Sequence, residues 1–175
     1  MGELKRTVAL VGMMGAGKSS IGRRLAERLS LPFVDADTTI EDAAHCTIAE
    51  IFERYGEPEF RDVERRVIAR LLTEPPCVLA TGGGAFVDPT TRARIKESAI
   101  SVWIKAPVEI LLSRVKRRET RPLLKDGDPR ETLTRLMAER EPSYAEADIA
   151  IESGDGPHTV AVDRIVSALQ ERGDL

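Results

Sequence analysis

Short apolar runs alternate along this chain with stretches of helical period. Val8-Ala9-Leu10-Val11 is a continuous apolar run that ends at a glycine-rich turn, as a strand buried on both faces would. From Ser19 to Leu29 the period changes: Ile21, Leu25, Ala26 and Leu29 fall on one helical face, with Arg23, Arg24 and Arg28 off it. Leu31-Pro32 breaks that helix, and Phe33-Val34 opens a second strand ending at Asp35. Two helices are expected next, one around Ile48 to Tyr55 and one from about Glu57 to Leu72, stopped by Pro75-Pro76. Cys77 to Ala80 reads as a third strand, closed by Thr81 and three glycines.

The alternation continues to the end. A helix at Thr90 to Glu97 leads into a fourth strand, Ile100 to Ile104, and Pro107 starts a helix running to about Arg117. Residues from Arg118 to Pro129 are charged and loop-like; Glu131 to Arg140 is helical, Ile149 to Ile151 a fifth strand, and Val160 to Leu169 a closing helix. Strands separated by helices throughout predict a parallel sheet covered on both faces, in one domain spanning residues 1–175.

Composition narrows the function classes. The 175 residues are 42% hydrophobic and 31% charged, with a net charge of −3, which describes an ordinary globular domain. A mildly acidic chain is a poor nucleic-acid binder, so any phosphate site must be locally basic. No stretch reaches the ~20 apolar residues of a membrane span, and no apolar leader segment precedes the first strand. A cytoplasmic protein is the expectation. Cys46 and Cys77 fit neither a disulfide framework nor a metal pattern. His45 is expected at the surface or a helix start, and Trp103 in the core.

The chemistry begins with Gly12-Met13-Met14-Gly15-Ala16-Gly17-Lys18-Ser19, a complete G-x-x-x-x-G-K-S between strand and helix. Glycines let backbone N–H groups close on phosphate oxygens, and the helix N-terminus adds its positive end. Lys18 reaches the β- and γ-phosphates of a nucleoside triphosphate, and the Ser19 hydroxyl can ligate Mg²⁺. Asp35 and Asp37 stand at the end of the second strand, where ligands gather in an open parallel sheet. On extended backbone the two carboxylates would face the same way. Asp35 is assigned to the metal, through water, and Asp37 to the acceptor hydroxyl and its proton. The third strand ends without an acid, which leaves the metal role to Asp35.

Arg61 lies on the helix after Gly56, with Glu57 and Glu64 on adjacent turns. Held by Glu64, its fork would stay free for a carboxylate on the acceptor. Gly82-Gly83-Gly84 offers backbone donors with no side chains to a ring bearing hydroxyls. Arg121-Pro122-Leu123-Leu124, preceded by Arg114, Arg117 and Arg118, suits a lid that brings arginine to the transferring phosphate. Arg140, in Arg140-Glu141-Pro142-Ser143-Tyr144, could return to the acceptor pocket.

Together, G-M-M-G-A-G-K-S, D-A-D, I-F, E-F-R-x-x-E, G-G-G, R-P-L-L and R-E-P-S-Y, in register over nearly the whole chain, resemble the shikimate kinase family. The resemblance implies a P-loop, nucleoside-monophosphate-kinase-like α/β/α sandwich. Its five-stranded parallel sheet would run 2-3-1-4-5, with acceptor-binding helices at about 36–64 and a lid at about 115–128. It implies transfer of the γ-phosphate of ATP, with Mg²⁺, to the 3-hydroxyl of shikimate, by a protein expected to be a monomer with no nucleic-acid or membrane partner.

By motif, Gly12, Met14, Gly15, Ala16, Gly17, Lys18, Ser19, Ser20, Arg114 and Arg121 would hold ATP, with Arg114 by the adenine. Ser19 and Asp35 would serve the metal. Asp37, Phe52, Phe60, Arg61, Gly82, Gly83, Gly84 and Arg140 would hold shikimate, with Arg61 and Arg140 on its carboxylate. Lys18, Asp37 and Arg121 would carry catalysis. One departure from the family shows: Ser153-Gly154-Asp155-Gly156 supplies no arginine to the adenine. Two other readings of the residues stand beside this one, a gluconate kinase of the same fold and a non-enzymatic nucleotide-binding regulator.

Overall fold

The computed structural model describes residues 2–116 and 127–175. Its five strands are β1 (Thr7–Val11), β2 (Phe33–Asp35), β3 (Val78–Ala80), β4 (Ala99–Lys105) and β5 (Ile149–Glu152). All neighbours pair in parallel, in the order β2-β3-β1-β4-β5. Val8 aligns with Val78 on one side and Ile100 on the other, so β1 is the central strand. Every residue of β1 is buried, as its uninterrupted apolar run requires.

Helices cover both faces. They are α1 (Lys18–Leu29), α2 (Ala36–Ala44), α3 (Ile48–Leu71), α4 (Pro89–Ser98), α5 (Val108–Lys116), α6 (Pro129–Tyr144) and α7 (His158–Glu171). A 3₁₀ turn, Ala85–Val87, follows the triple glycine. Among the described residues no helix is long and apolar enough to cross a membrane.

Local chemistry fixes the boundaries that matter for the site. Gly12, Gly15 and Gly17 hold φ of 142°, 80° and 97°, so the turn after β1 depends on residues without a side chain. A Cβ on Gly12 would also sit 2.6 Å from the Ile104 carbonyl oxygen, against the backbone of β4. Thr47 and Glu50 form a capping box that starts α3, and Gly56, at φ 83° and ψ 171°, breaks it into two segments. The expected pair of helices on either side of Gly56 is therefore present.

The stretch between β2 and α3 departs from the extended reading. Asp35 is the N-cap of α2: its Oδ1 accepts from the backbone N–H groups of Asp37, at 2.9 Å, and Thr38. Asp37 is thus in the first turn of a helix and does not face the same way as Asp35 along a strand. His45 is exposed, as expected, and ends α2 in the left-handed region, at φ 56°, rather than starting a helix. Trp103 is in the core.

Candidate active site

The carboxyl ends of β1, β2 and β3 meet where the strand order reverses, which is where open parallel sheets bind ligands. Two clefts lie there. The first, about 300 Å³, is bounded by Gly15, Gly17, Lys18, Ser19, Ser20, Arg114 and His158 on one side and Asp35, Asp37, Gly82 and Gly83 on the other. The second is narrow and is bounded by Met14, Asp37, Phe52, Phe60, Arg61, Glu64, Gly82, Gly83, Gly84 and Arg140. Asp37, Gly82 and Gly83 belong to both. A group held in the first cleft can reach a group held in the second past these three residues.

In the phosphate cleft, the buried Lys18 ammonium donates to the carbonyls of Gly12, at 2.6 Å, and Met13, at 2.8 Å. It is thereby tied to the backbone of the glycine-rich loop. Ser19 Oγ donates to Asp35 Oδ2 at 2.9 Å. A hydroxyl and a carboxylate, both hard oxygen donors, fit Mg²⁺, which takes few protein ligands and completes its shell with water and phosphate. No cluster of three or more His, Cys, Asp or Glu that could hold a metal occurs among the described residues. Arg114 bridges the loop to the β5–α7 connection, donating from Nη1 to Gly15 O at 3.1 Å and from Nη2 to Gly154 O at 2.9 Å.

In the second cleft, Phe52 and Phe60 pack together at 4.8 Å between centroids, and the Arg61 guanidinium lies 5.1 Å from the Phe60 ring. Arg61 is held more completely than its spacing suggested. Nη1 pairs with Glu64 at 3.0 Å and Nη2 with the half-exposed Glu57 at 3.4 Å, so its fork is not free on the second side. Exposed Glu57 contributes little and yields readily to a better anion. Glu64 is different: it is almost fully buried, and burial pushes its carboxyl above the usual value of 4.5 against the pull of Arg61. Asp37 and Asp88 push in the same direction as burial.

Protonated Glu64 loses its charge pairing with Arg61. The kcat/KM for the acceptor should therefore fall on an acid limb centred above pH 4.5. A pH profile of Glu64→Gln checks this, because the variant should lack that limb. A limb that persists unchanged would belong to another group.

Arg140, buried in the last turns of α6, presents an Nη1 with no hydrogen-bond partner among the described residues. A buried guanidinium nitrogen of this kind is costly unless an anion meets it. The glycine loop is shaped by these arginines. A Cβ on Gly84 would lie 2.5 Å from Arg61 Cζ, Nη1 and Nη2, and one on Gly83 would lie 3.0 Å from Arg140 Nη1. Gly84→Ala should displace the guanidinium of Arg61 rather than the backbone. The expected outcome is an acceptor KM raised roughly tenfold, the loss of about 1.4 kcal/mol of binding, with a melting temperature lowered less than by Arg61→Ala, which removes the partner of buried Glu64 altogether. A large drop in melting temperature with unchanged KM would contradict it.

The expected residues are distributed around both clefts. Met14 is buried and lines the second cleft, and Gly12 and Ala16 are buried in the loop. Cys46 is half-buried and lines neither cleft. Arg121 and the rest of its R-P-L-L stretch lie outside the described residues. Sequence reading missed His158, at the start of α7 in the phosphate cleft, and passed over the hydroxyl of Tyr144, which donates to Gly83 O. His158 had no motif to mark it, and Tyr144 closes the R-E-P-S-Y stretch, in which only Arg140 was given a role.

A P-loop and a second, arginine-walled cleft sharing an aspartate define a small-molecule kinase of the P-loop class. A shikimate kinase family model matches residues 14–170. The shikimate kinase of Caulobacter vibrioides strain NA1000 is 60% identical over 166 residues, covering 95% of this chain and 83% of that protein. The solved shikimate kinase of Acinetobacter baumannii, in complex with shikimate, superposes with a TM-score of 0.94 at 38% identity, covering 97% of this chain and 96% of that one. A gluconokinase from Sinorhizobium meliloti, at 16% identity and a TM-score of 0.64, covering 97% and 94%, shares the fold alone. The chain belongs to the shikimate kinase family and is an ATP-using phosphotransferase.

Proposed function

We propose that the protein transfers the γ-phosphoryl group of ATP to the 3-hydroxyl of shikimate in the cytoplasm, as the family resemblance implies. The observation that supports this reading is the shared wall: Asp37, Gly82 and Gly83 border both the phosphate cleft and the arginine-walled cleft. Asp37 takes the proton of the acceptor hydroxyl as its oxygen bonds to the γ-phosphorus, and the bond from phosphorus to the β–γ bridging oxygen breaks toward ADP.

Lys18 and the loop N–H groups carry the charge on the triphosphate. Ser19, and Asp35 through water, would hold Mg²⁺, which would further neutralise the phosphates. Arg61 and Arg140 grip the acceptor carboxylate, with Phe52 and Phe60 beside the ring and Gly82 to Gly84 beneath it. Arg114 lies toward the nucleoside, and Arg121 is assigned to the transferring phosphate.

A coupled assay of ADP release with shikimate, and in parallel with gluconate, tests the reading. Shikimate-dependent ADP release is expected, with phosphorus NMR placing the new ester on the 3-oxygen. Turnover of gluconate without turnover of shikimate would transfer the protein to the rival acceptor. ATP binding with no transfer to either would leave the regulator.

A further inference from the structure

Tyr144 ends α6 almost fully buried, 1% exposed, and the chemistry proposed above makes no use of it. Its single hydroxyl proton goes to the carbonyl of Gly83, and the same oxygen lies 3.8 Å from Met13 Sδ. The phenol therefore touches the glycine loop of one cleft and the phosphate-binding loop of the other. Four residues earlier on the same helix stands Arg140, whose charge reaches the phenol.

The two loops also rest on each other. A Cβ on Gly83 would lie 3.4 Å from Met14 N and 3.7 Å from Gly12 O. On the far side, the Lys18 ammonium donates to Gly12 O and Met13 O. A displacement of Lys18 by a bound phosphate thus acts on the backbone of residue 13, whose side chain bears on Tyr144. The Tyr144 ring is packed against Trp103, at 5.7 Å between centroids, and Trp103 pairs in register with Val11, just before the loop. The path from Lys18 to Gly83 is a series of direct contacts with no exposed link.

From this juxtaposition we infer that Tyr144 is a positioning residue that couples the two substrate sites, so that a nucleotide on the phosphate-binding loop tightens the glycine loop and Arg140 around the acceptor. The inference rests on the acceptor reading above. It adds a residue that touches neither substrate and acts through Gly83 and Met13. By linkage, the acceptor must tighten the nucleotide by the same factor.

The test is calorimetric titration of shikimate into the full-length protein, with and without saturating ADP and Mg²⁺, for the parent and Tyr144→Phe. The sole tryptophan, beside Tyr144, gives a second signal. The parent should bind shikimate at least about fivefold more tightly with ADP, the lower end of ordinary site-to-site coupling. In Tyr144→Phe that ratio should fall below about twofold, with the ADP-free affinity changed less than about threefold.

An unchanged ratio in the variant overturns the inference. So does an equal loss of affinity in both arms, which would make the phenol a local prop, and so does a parent ratio of one. If the parent binds no shikimate in either arm, the acceptor reading itself is wrong and the coupling falls with it; shikimate binding with no ADP effect sinks the coupling alone. Met13→Ala cuts the same path from the other side and leaves the bond to Gly83 in place. It should also lower the ratio, and a full parental ratio in Met13→Ala would overturn the inference even if Tyr144→Phe folds poorly.

Discussion

Lys18→Ala should reduce kcat with shikimate and ATP by at least about a hundredfold, and by as much as a thousandfold, because a preorganised charge at the transferring group is worth that much in rate. The structure sharpens the reason. Lys18 is buried and tied to the carbonyls of Gly12 and Met13, so its ammonium waits at the loop and has only to turn from those carbonyls to an arriving phosphate. A charge already desolvated at the site stabilises the transition state more than one that must be gathered from solvent. Loss of the side chain also takes a donor from the Gly12 carbonyl, while Met13 O keeps the Ala16 N–H at 3.2 Å. ADP affinity should fall too, but by less than kcat, because the loop N–H groups and the α1 N-terminus remain. Steady-state kinetics with a parallel ADP titration checks both parts. Turnover within threefold of the parent would remove Lys18 from the mechanism.

The proposed chemistry is largely a matter of charge placement. The chain carries a net charge of −3, yet the cleft edge gathers Lys18, Arg61, Arg114 and Arg140. Phosphoryl transfer asks for little covalent work from the protein, and most of the barrier yields to positioning and neutralisation. Glu64 shows how the positive side is kept ordered. It is buried at a cost, and Arg61 is what makes that burial tolerable. Removing one partner would leave the other stranded, so the pair acts as a unit.

Sequence alone reveals most of the fold because its signals are local. Each strand is a short apolar run, the P-loop is contiguous, and Gly56 interrupts α3 where φ must be positive. What it conceals is mostly direction and distance. Asp35 read as a strand end because Phe33 and Val34 are apolar; its second role, capping α2, depends on a side-chain bond to Asp37 N. The i−4 position of Glu57 was visible, but not that Arg61 would engage both neighbours. Met14 sits in the phosphate motif, yet its side chain leaves the loop on the other side. The bond of Tyr144 to Gly83 spans 61 residues of sequence and leaves no periodic mark. His158 lacked a motif for the same reason: only the return of α7 against α1 brings it to Gly17.

Arg140→Ala should weaken shikimate more than Arg61→Ala does. Both remove a guanidinium from the carboxylate-binding wall, and a lost charge-assisted contact costs about 1.5–3 kcal/mol, or roughly a tenfold to a hundredfold rise in KM at 1.4 kcal/mol per decade. The two start from different states. Arg61 has Glu64 and Glu57 as partners, so part of what the substrate offers must replace ion pairs already made. Arg140 presents a buried Nη1 with no such partner among the described residues, so an arriving carboxylate satisfies it outright. Arg140→Ala should fall at the upper end of the range and Arg61→Ala at the lower. Arg140→Lys should not rescue, since an ammonium cannot reproduce the planar two-point grip. In each case kcat at saturating shikimate should move less than KM. A larger effect at Arg61, or a loss confined to kcat, would show that the carboxylate is read by different atoms.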